Sequence, residues 1–296
     1  MRDHVKWTYL SISEVTSELW RVGFPLHDQT VAKILEEMDF SRRRAERRIT
    51  MGHFPQRDEQ FRIIAELKQQ YLDSGDPIFS IDAKKKEYLG NFFREGRVLG
   101  TGNLATYDHD FHGDGGGHVV SHGIFDTTRN TGHITLGLSY ETSEFACDSF
   151  ALYWNRYGQR AYPRARSILW LCDGGGSNNA RHYIFKEDLQ KLVNKIGVPI
   201  RVAHYPPYCS KYNPIERRMF SHVTRACQGV IFHTVDIVKR MIERTWTSTG
   251  LSVTVAVITK AYEKGREASV RFMEAFPIHF DDRLPLLNYT VAPTDY

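Results

Sequence analysis

Two short apolar runs that each end on an aspartate constrain this chain most. Residues 77–81 lead into Asp82, and residues 168–172 lead into Asp173. Short apolar runs flanked by turn-forming residues read as buried strands. A carboxylate at the end of such a strand loses its water, which is costly unless a cation or donors compensate it. A third acid, Glu216, stands in Asn213-Pro214-Ile215-Glu216-Arg217-Arg218, at the expected start of a helix. Mg²⁺ takes oxygen ligands, usually one or two carboxylates plus water and substrate phosphate. Two such ions a few ångströms apart serve in-line phosphoryl transfer on nucleic acid. The three acids lie so far apart in the sequence that only a fold gathers them.

Each acid has a plainer alternative. Asp173-Gly174 is a turn dipeptide of the hairpin kind. Asn213, Pro214 and Glu216 fit an N-cap, a Pro at N1 and a Glu at N3, a capping box that needs no catalysis. Asp82 has the weakest alternative, since no turn signal surrounds it and Lys84, Lys85 and Lys86 follow at once.

At 296 residues and 41% hydrophobic, the chain can bury a good core and suggests two domains, one small. The net charge of +4 says little, but local charge says more. Residues 201–229 hold Arg201, Lys211, Arg217, Arg218 and Arg225 against Glu216 alone. Residues 149–170 hold Arg156, Arg160, Arg164 and Arg166 with no acid. Both stretches suit a phosphate-binding surface, and both also suit an ordinary solvated face. The cysteines Cys147, Cys172, Cys209 and Cys227 form no Cys-x-x-Cys pair, so a reduced, cytoplasmic setting is expected. No segment has the length of a membrane span, and no apolar signal core opens the chain.

Residues 11–38 read as two helices around a turn at Gly23-Phe24-Pro25, a helix–turn–helix compatible with DNA binding or with any helical hairpin. Arg42, Arg43 and Arg44 then open an arginine-rich run suited to phosphate contact. A linker helix is expected from about residue 57 to 72. Strands or hairpins follow at 77–82, 123–126 and 133–138, helices at 141–157, 181–196 and 213–226, and strands at 168–172 and 200–204. Strands first, then alternating β and α, predict an α/β fold: an RNase H-like mixed sheet flanked by helices, with a small N-terminal helix–turn–helix domain. The expected division is 1–50, a linker helix over 51–76, a catalytic domain over 77–245, and a C-terminal extension over 246–296 packed on the core. Asp108, His109, Asp110, His112, Asp114, His118 and His122 crowd one glycine-rich stretch, but zinc-type ligand spacing with Cys is missing there. Gly174-Gly175-Gly176-Ser177 lacks the Gly-Lys-Ser/Thr of a P-loop. It suits close backbone approach, with Ser177 or Asn178 capping the next helix.

Several motifs resemble one family closely. They are Ile81-Asp82-Ala83-Lys84-Lys85-Lys86-Glu87, Ser121-His122-Gly123-Ile124-Phe125-Asp126, and Cys172-Asp173-Gly174-Gly175-Gly176-Ser177-Asn178. His204-Tyr205-Pro206-Pro207, the stretch from Ser210 through Glu216 to His222, Thr249-Gly250-Leu251 and residues 288–293 continue the pattern. Together they resemble insertion-sequence transposases with the Rhodopirellula-type DDE domain, over nearly the whole chain. Arg217 and Cys227-Gln228-Gly229 depart from the His and the Trp-Arg-Gly that the family usually carries. Members also tend to be longer at the N-terminus, so this chain is expected to start near its second DNA-binding element.

The resemblance implies a metal-dependent DNA transposase of the retroviral-integrase-like superfamily. Asp82, Asp173 and Glu216 would be its catalytic and metal-binding triad, holding two Mg²⁺ or Mn²⁺ ions. Its partners would be double-stranded DNA, both element ends and target, bound by a homo-oligomer in a bacterial cytoplasm and at the nucleoid. Lys84, Lys85, Lys86, Lys211, Arg217, Arg218, Arg42, Arg43 and Arg44 are the candidate DNA contacts. Two rivals stand beside it: a DNA-binding protein descended from a transposase without catalysis, and a metal-dependent nuclease that cuts without joining.

Overall fold

The computed structural model describes residues 6–43, 54–109, 116–175 and 182–294. The chain forms two compact units, 1–50 and 51–296.

The first unit is a helical pair, α1 (Ile12–Arg21) and α2 (Asp28–Glu37). Ser11 and Glu14 form the capping box that starts α1. Gly23 takes φ +93° at the turn, a conformation costly for any residue with a Cβ. Trp20 Nε1 donates to Leu26 O at 2.6 Å and ties the turn back to α1. Arg44 and the residues after it to 53 lie outside the described residues, as do Asp110, His112, Asp114, Ser177 and Asn178.

The second unit opens with α3 (Arg57–Ser74), stopped by Gly75 in the left-handed region. Then come β1 (Ile78–Tyr88), β2 (His118–Asp126), β3 (Thr131–Gly137) and α4 (Ser143–Tyr153). A five-residue π segment, Trp154–Gly158, carries α4 into the short α5 (Gln159–Ala161). β4 (Ile168–Cys172), α6 (Tyr183–Ile196) and β5 (Ile200–His204) follow. A second π segment, Glu216–Phe220, runs into α7 (Ser221–Ala226), and then come α8 (Val235–Glu243), β6 (Ser252–Ile258), α9 (Val270–Ala275), β7 (Ile278–Phe280) and β8 (Asn288–Val291).

All eight strands form one sheet in the order β6-β3-β2-β1-β4-β5-β8-β7. β2 runs antiparallel to β1 and β3, while β4 and β5 run parallel to β1. A 3-2-1-4-5 core with only its second strand reversed is the RNase H-like arrangement. Residues 246–296 supply three strands of this same sheet.

Alternation along the strands sorts the core into two layers. Phe79, Ile81, Ile124 and Trp170 pack against Phe150 and Trp154 of the α4 run and Phe185 and Leu189 of α6. On the opposite face, Ile78, Leu169 and Leu171 meet Ile63, Ile64 and Leu67 of α3. Farther along that face, Phe125, Ile134 and Val253 meet Ile215, Met219 and Phe220. β2 starts five residues earlier than its apolar pattern suggests, at His118 rather than Gly123. Ser121 and His122 look like loop residues, yet both are buried in the strand; His122 Nδ1 lies 3.2 Å from Ser149 Oγ, which donates to Thr135.

Candidate active site

β1 and β4 pair in parallel with Ser80 opposite Leu171, which brings Asp82 level with Asp173 just beyond the end of β4. Ile78, Ser80 and Asp82 share a face by alternation, and that face carries the helix that begins before Glu216.

Two buried polar links dock that helix. Ser80 Oγ donates to Asn213 Oδ1 and accepts from the Ile215 N–H at 2.9 Å. Asn213 Nδ2 donates to the Ile81 carbonyl at 3.2 Å. Both side chains are fully buried. The helix therefore takes its N-terminal partner from β1, and the capping box that the sequence allowed is not what engages Asn213. Glu216 is instead set close enough to Asp82 for each charge to act on the other. Glycine makes the close approach possible: Gly123 is the cross-strand neighbour of Asp82, and a Cβ there would stand 2.6 Å from Phe220 and 2.9 Å from Ile215.

Asp173 is held from the other side. Its carbonyl lies 3.0 Å from Nδ1 of the buried His204, whose Nε2 is 3.0 Å from the Tyr289 hydroxyl. With Tyr289 donating to Nε2, the Nδ1–H points at Asp173 O, which fixes the tautomer. Burial lowers the His204 pKa to about 4, so the ring is neutral. The Asp173 side chain accepts from the Gly175 N–H.

Electrostatically the acids are in conflict. Burial first, then the charges of Asp173, Glu216 and Glu141, push Asp82 from 3.8 up to about 8, against the Ala83 N–H bond of 2.8 Å. Burial also raises Asp173 and, with the Asp173 charge, Glu216. Lys84 opposes that rise in Glu216. Buried, mutually repelling carboxylate oxygens fit a hard divalent cation. Among the described residues no three His, Cys, Asp or Glu side chains close into a ready-made metal cluster. The arrangement is three acids, Asp82, Glu216 and Asp173, in electrostatic range of one another. That suits an ion completed by water and substrate phosphate. Glu141, just before the α4 N-cap Thr142, adds its charge to those that raise Asp82.

The expected basic residues divide. β1 has an extra residue relative to β2 between Lys84 and Glu87, a bulge of the kind common beside active sites. Lys84 is ion-paired to Glu87 and only 14% exposed, and Arg94 reaches the same Glu87 at 2.7 Å. Lys85 is exposed and Lys86 half-buried, and both line a cleft of about 790 Å³ with Arg94 and Glu216. Lys211 and Arg217 line an adjoining hollow that also reaches Glu216. Arg218 is held aside: it donates to Thr127 O and Asn130 Oδ1 and lies 4.8 Å over the Phe125 ring. Arg42 and Arg43 are exposed in the first unit, Arg43 lying 3.6 Å from Asp39.

Comparison with known proteins adds the family. No curated protein matches the chain by sequence. Among solved structures, the Mos1 transposase paired-end complex with the left transposon end is similar at 17% identity and TM-score 0.47, covering 81% of this chain and 72% of that one. A pre-cleavage Mos1 transpososome gives 17% identity and TM-score 0.48 over the same shares. The Mos1 mariner paired-end complex with Mn gives 15% and 0.46, again over 81% and 72%. The profile of the Rhodopirellula transposase DDE domain matches residues 1–293, nearly the whole length, and the chain belongs to that transposase family.

Proposed function

We propose that the protein cuts DNA at the ends of its own mobile element and joins those ends to target DNA, with Asp82, Asp173 and Glu216 as the acids that hold the metal. The observation that carries this reading is the buried docking of the Glu216 helix on β1 through Ser80 and Asn213, which sets Glu216 within electrostatic reach of Asp82, itself level with Asp173. Two Mg²⁺ or Mn²⁺ ions held by these oxygens would supply the Lewis acidity that in-line phosphoryl transfer requires. Lys85, Lys86, Lys211 and Arg217 draw the strand into the clefts at Glu216 and hold its phosphates. Water attacks the scissile phosphorus and leaves a free 3′-hydroxyl. That hydroxyl then attacks a target phosphodiester, so one ester bond breaks as another forms and no covalent enzyme intermediate is needed. The helical pair of residues 12–37 reads the element ends, residues 77–245 form the catalytic domain, and the protein works as an oligomer on DNA. It is a protein of the bacterial cytoplasm and nucleoid; no helix among the described residues is long and apolar enough to cross a membrane.

The test is Glu216→Gln. Gln keeps the shape and removes one ligand charge; since ~4 kcal/mol is about 10³ in rate, cleavage of end-containing DNA in Mg²⁺ or Mn²⁺ should fall by about that factor while DNA binding persists. Wild-type cutting by this variant, or full activity in EDTA, sinks the reading. Cleaved but unjoined products would favour the plain nuclease.

A further inference from the structure

The arginines of residues 149–170 play no part at the acids, yet the fold gathers two of them. Arg156 and Arg160 join Arg129 around a cleft of about 290 Å³, lined also by Tyr153, Tyr157 and Thr254. Tyr153, Arg156, Tyr157 and Arg160 follow i, i+3, i+4, i+7 spacing along the helical run, the stripe that ordinarily meets the core. Here its later members overhang the beginnings of β3 and β6 instead. The run is a π segment at that point, a distortion frequent at functional sites. Arg156 and Arg160 stand one turn apart, where like charges repel in the absence of an anion.

Among the described residues none of these three guanidinium groups has an ion-pair partner. The nearby carboxylate, Asp126, is buried and already accepts from the Thr128 and Arg129 N–H groups and the Tyr162 hydroxyl. The guanidinium field is felt below: His133, whose ring lies 5.6 and 5.7 Å from those of Tyr153 and Tyr157, is held down to about 4 by burial and by Arg156.

The position matters as much as the charge. His133 faces the α4 side, whereas its neighbour Gly132 faces Met219 of the Glu216 segment. The cleft therefore opens on the sheet face opposite Asp82 and Glu216. It also lies toward the start of β1, since Asp126 and Thr131 pair at the level of Phe79. A strand seated at the acids cannot also pass through it without rounding the sheet. Arginine, tyrosine and threonine donors are the groups that hold backbone phosphates of duplex DNA.

We propose that this cleft binds a backbone phosphate of a second stretch of duplex DNA, distinct from the stretch held at the acids. The identity of the polyanion rests on the transposase reading above. The test uses the full chain and a random 25-bp duplex, titrated by fluorescence anisotropy at several NaCl concentrations. Wild type is compared with R129Q/R156Q/R160Q, R156K/R160K and the single R160Q. A lost phosphate contact removes about 0.9 from the log–log salt slope, so the triple variant should flatten it by about 1 and R160Q by a measurable part of that. R156K/R160K should keep most of the slope. An unchanged slope in the triple variant overturns the proposal; should that protein fail to fold, an unchanged slope in R160Q does so. If the variants weaken binding of inorganic phosphate alone but leave the duplex slope intact, the cleft takes a small anion and the proposal also falls. If wild type cuts no DNA with any metal, the transposition reading fails, while the slope comparison still decides this site.

Discussion

Asp82→Asn should stabilise the metal-free protein at pH 8 while abolishing its activity. Asp82 rises from 3.8 to about 8 through burial and the charges of Asp173, Glu216 and Glu141. A folded-state pKa above the unfolded one means that folding takes up a proton between those values. Below about pH 4 the acid is protonated in both states and nothing is lost. From about pH 4 to 8 stability falls as pH rises, and above that range the full cost stands. About four units at 1.36 kcal/mol each set a ceiling of about 5–6 kcal/mol. Part of that cost is repulsion that Asp173 and Glu216 also carry, so one substitution should recover about 2–4 kcal/mol at pH 8. Asn Oδ1 can still accept the Ala83 N–H, so shape and local bonding persist. For a unit of this size, ~1 kcal/mol moves Tm by about 2–4 °C, giving a rise of about 5–15 °C. Circular-dichroism melts in EDTA from pH 4.5 to 8.5 would read it. The gain should be small at pH 4.5 and grow steadily to pH 8. Mn²⁺ should raise Tm for wild type and much less for the variant. A pH-independent difference, or a variant less stable at pH 8, refutes the argument that these acids are held together against their own charge.

Gly123→Val should leave a folded protein destabilised by about 1–3 kcal/mol, because the new side chain overlaps Phe220 and Ile215. Cleavage should fall by about 10² or more as Glu216 is lifted off Asp82; normal nicking would mean that the helix seat does not matter. Ser80→Ala strands both Asn213 Oδ1 and the Ile215 N–H, and should cost at least about 2 kcal/mol in a denaturation melt. A loss below about 0.5 kcal/mol would show that water replaces the hydroxyl. Removing residues 1–50 should retain metal-dependent nicking but lose preference for element ends, since base edges are read by a recognition helix and phosphates are not sequence-specific. Titrations of end and random duplexes with an unchanged ratio would assign recognition elsewhere.

What the sequence made legible was what it encodes locally. The apolar run before Asp173 is the whole of β4, whereas the run before Asp82 is only the first part of β1, which continues through Asp82 and the lysines to Tyr88. The helix at Asn213 starts where Pro214 said it would, but its N-terminal partner comes from Ser80, a contact across the fold that no local pattern announces. β2 hid its first residues because His122 and Ser121 are buried polar groups, and buried polar groups mimic loops in a hydropathy reading. Lys84 looked like a free phosphate ligand; the bulge beyond it lets Glu87 take its charge. Arg129 stands apart in sequence from Arg156 and Arg160, so the cleft they share existed only as an unassigned run of charge.

The late strands carry a consequence in time. β6 pairs with β3 by joining Ser252 to Thr131, and β8 pairs with β5 by joining Val291 to Ile200. Contacts this distant in sequence form slowly, because a long loop must close before any of them is rewarded. Met219, one turn past Glu216, shares its cluster with Val253 of β6. Synthesis runs from the N-terminus, so the three acids exist on the ribosome well before the strand that buttresses the last of them. A nascent or prematurely ended chain thus carries every acid of the site without the β6 packing that backs the segment holding Glu216.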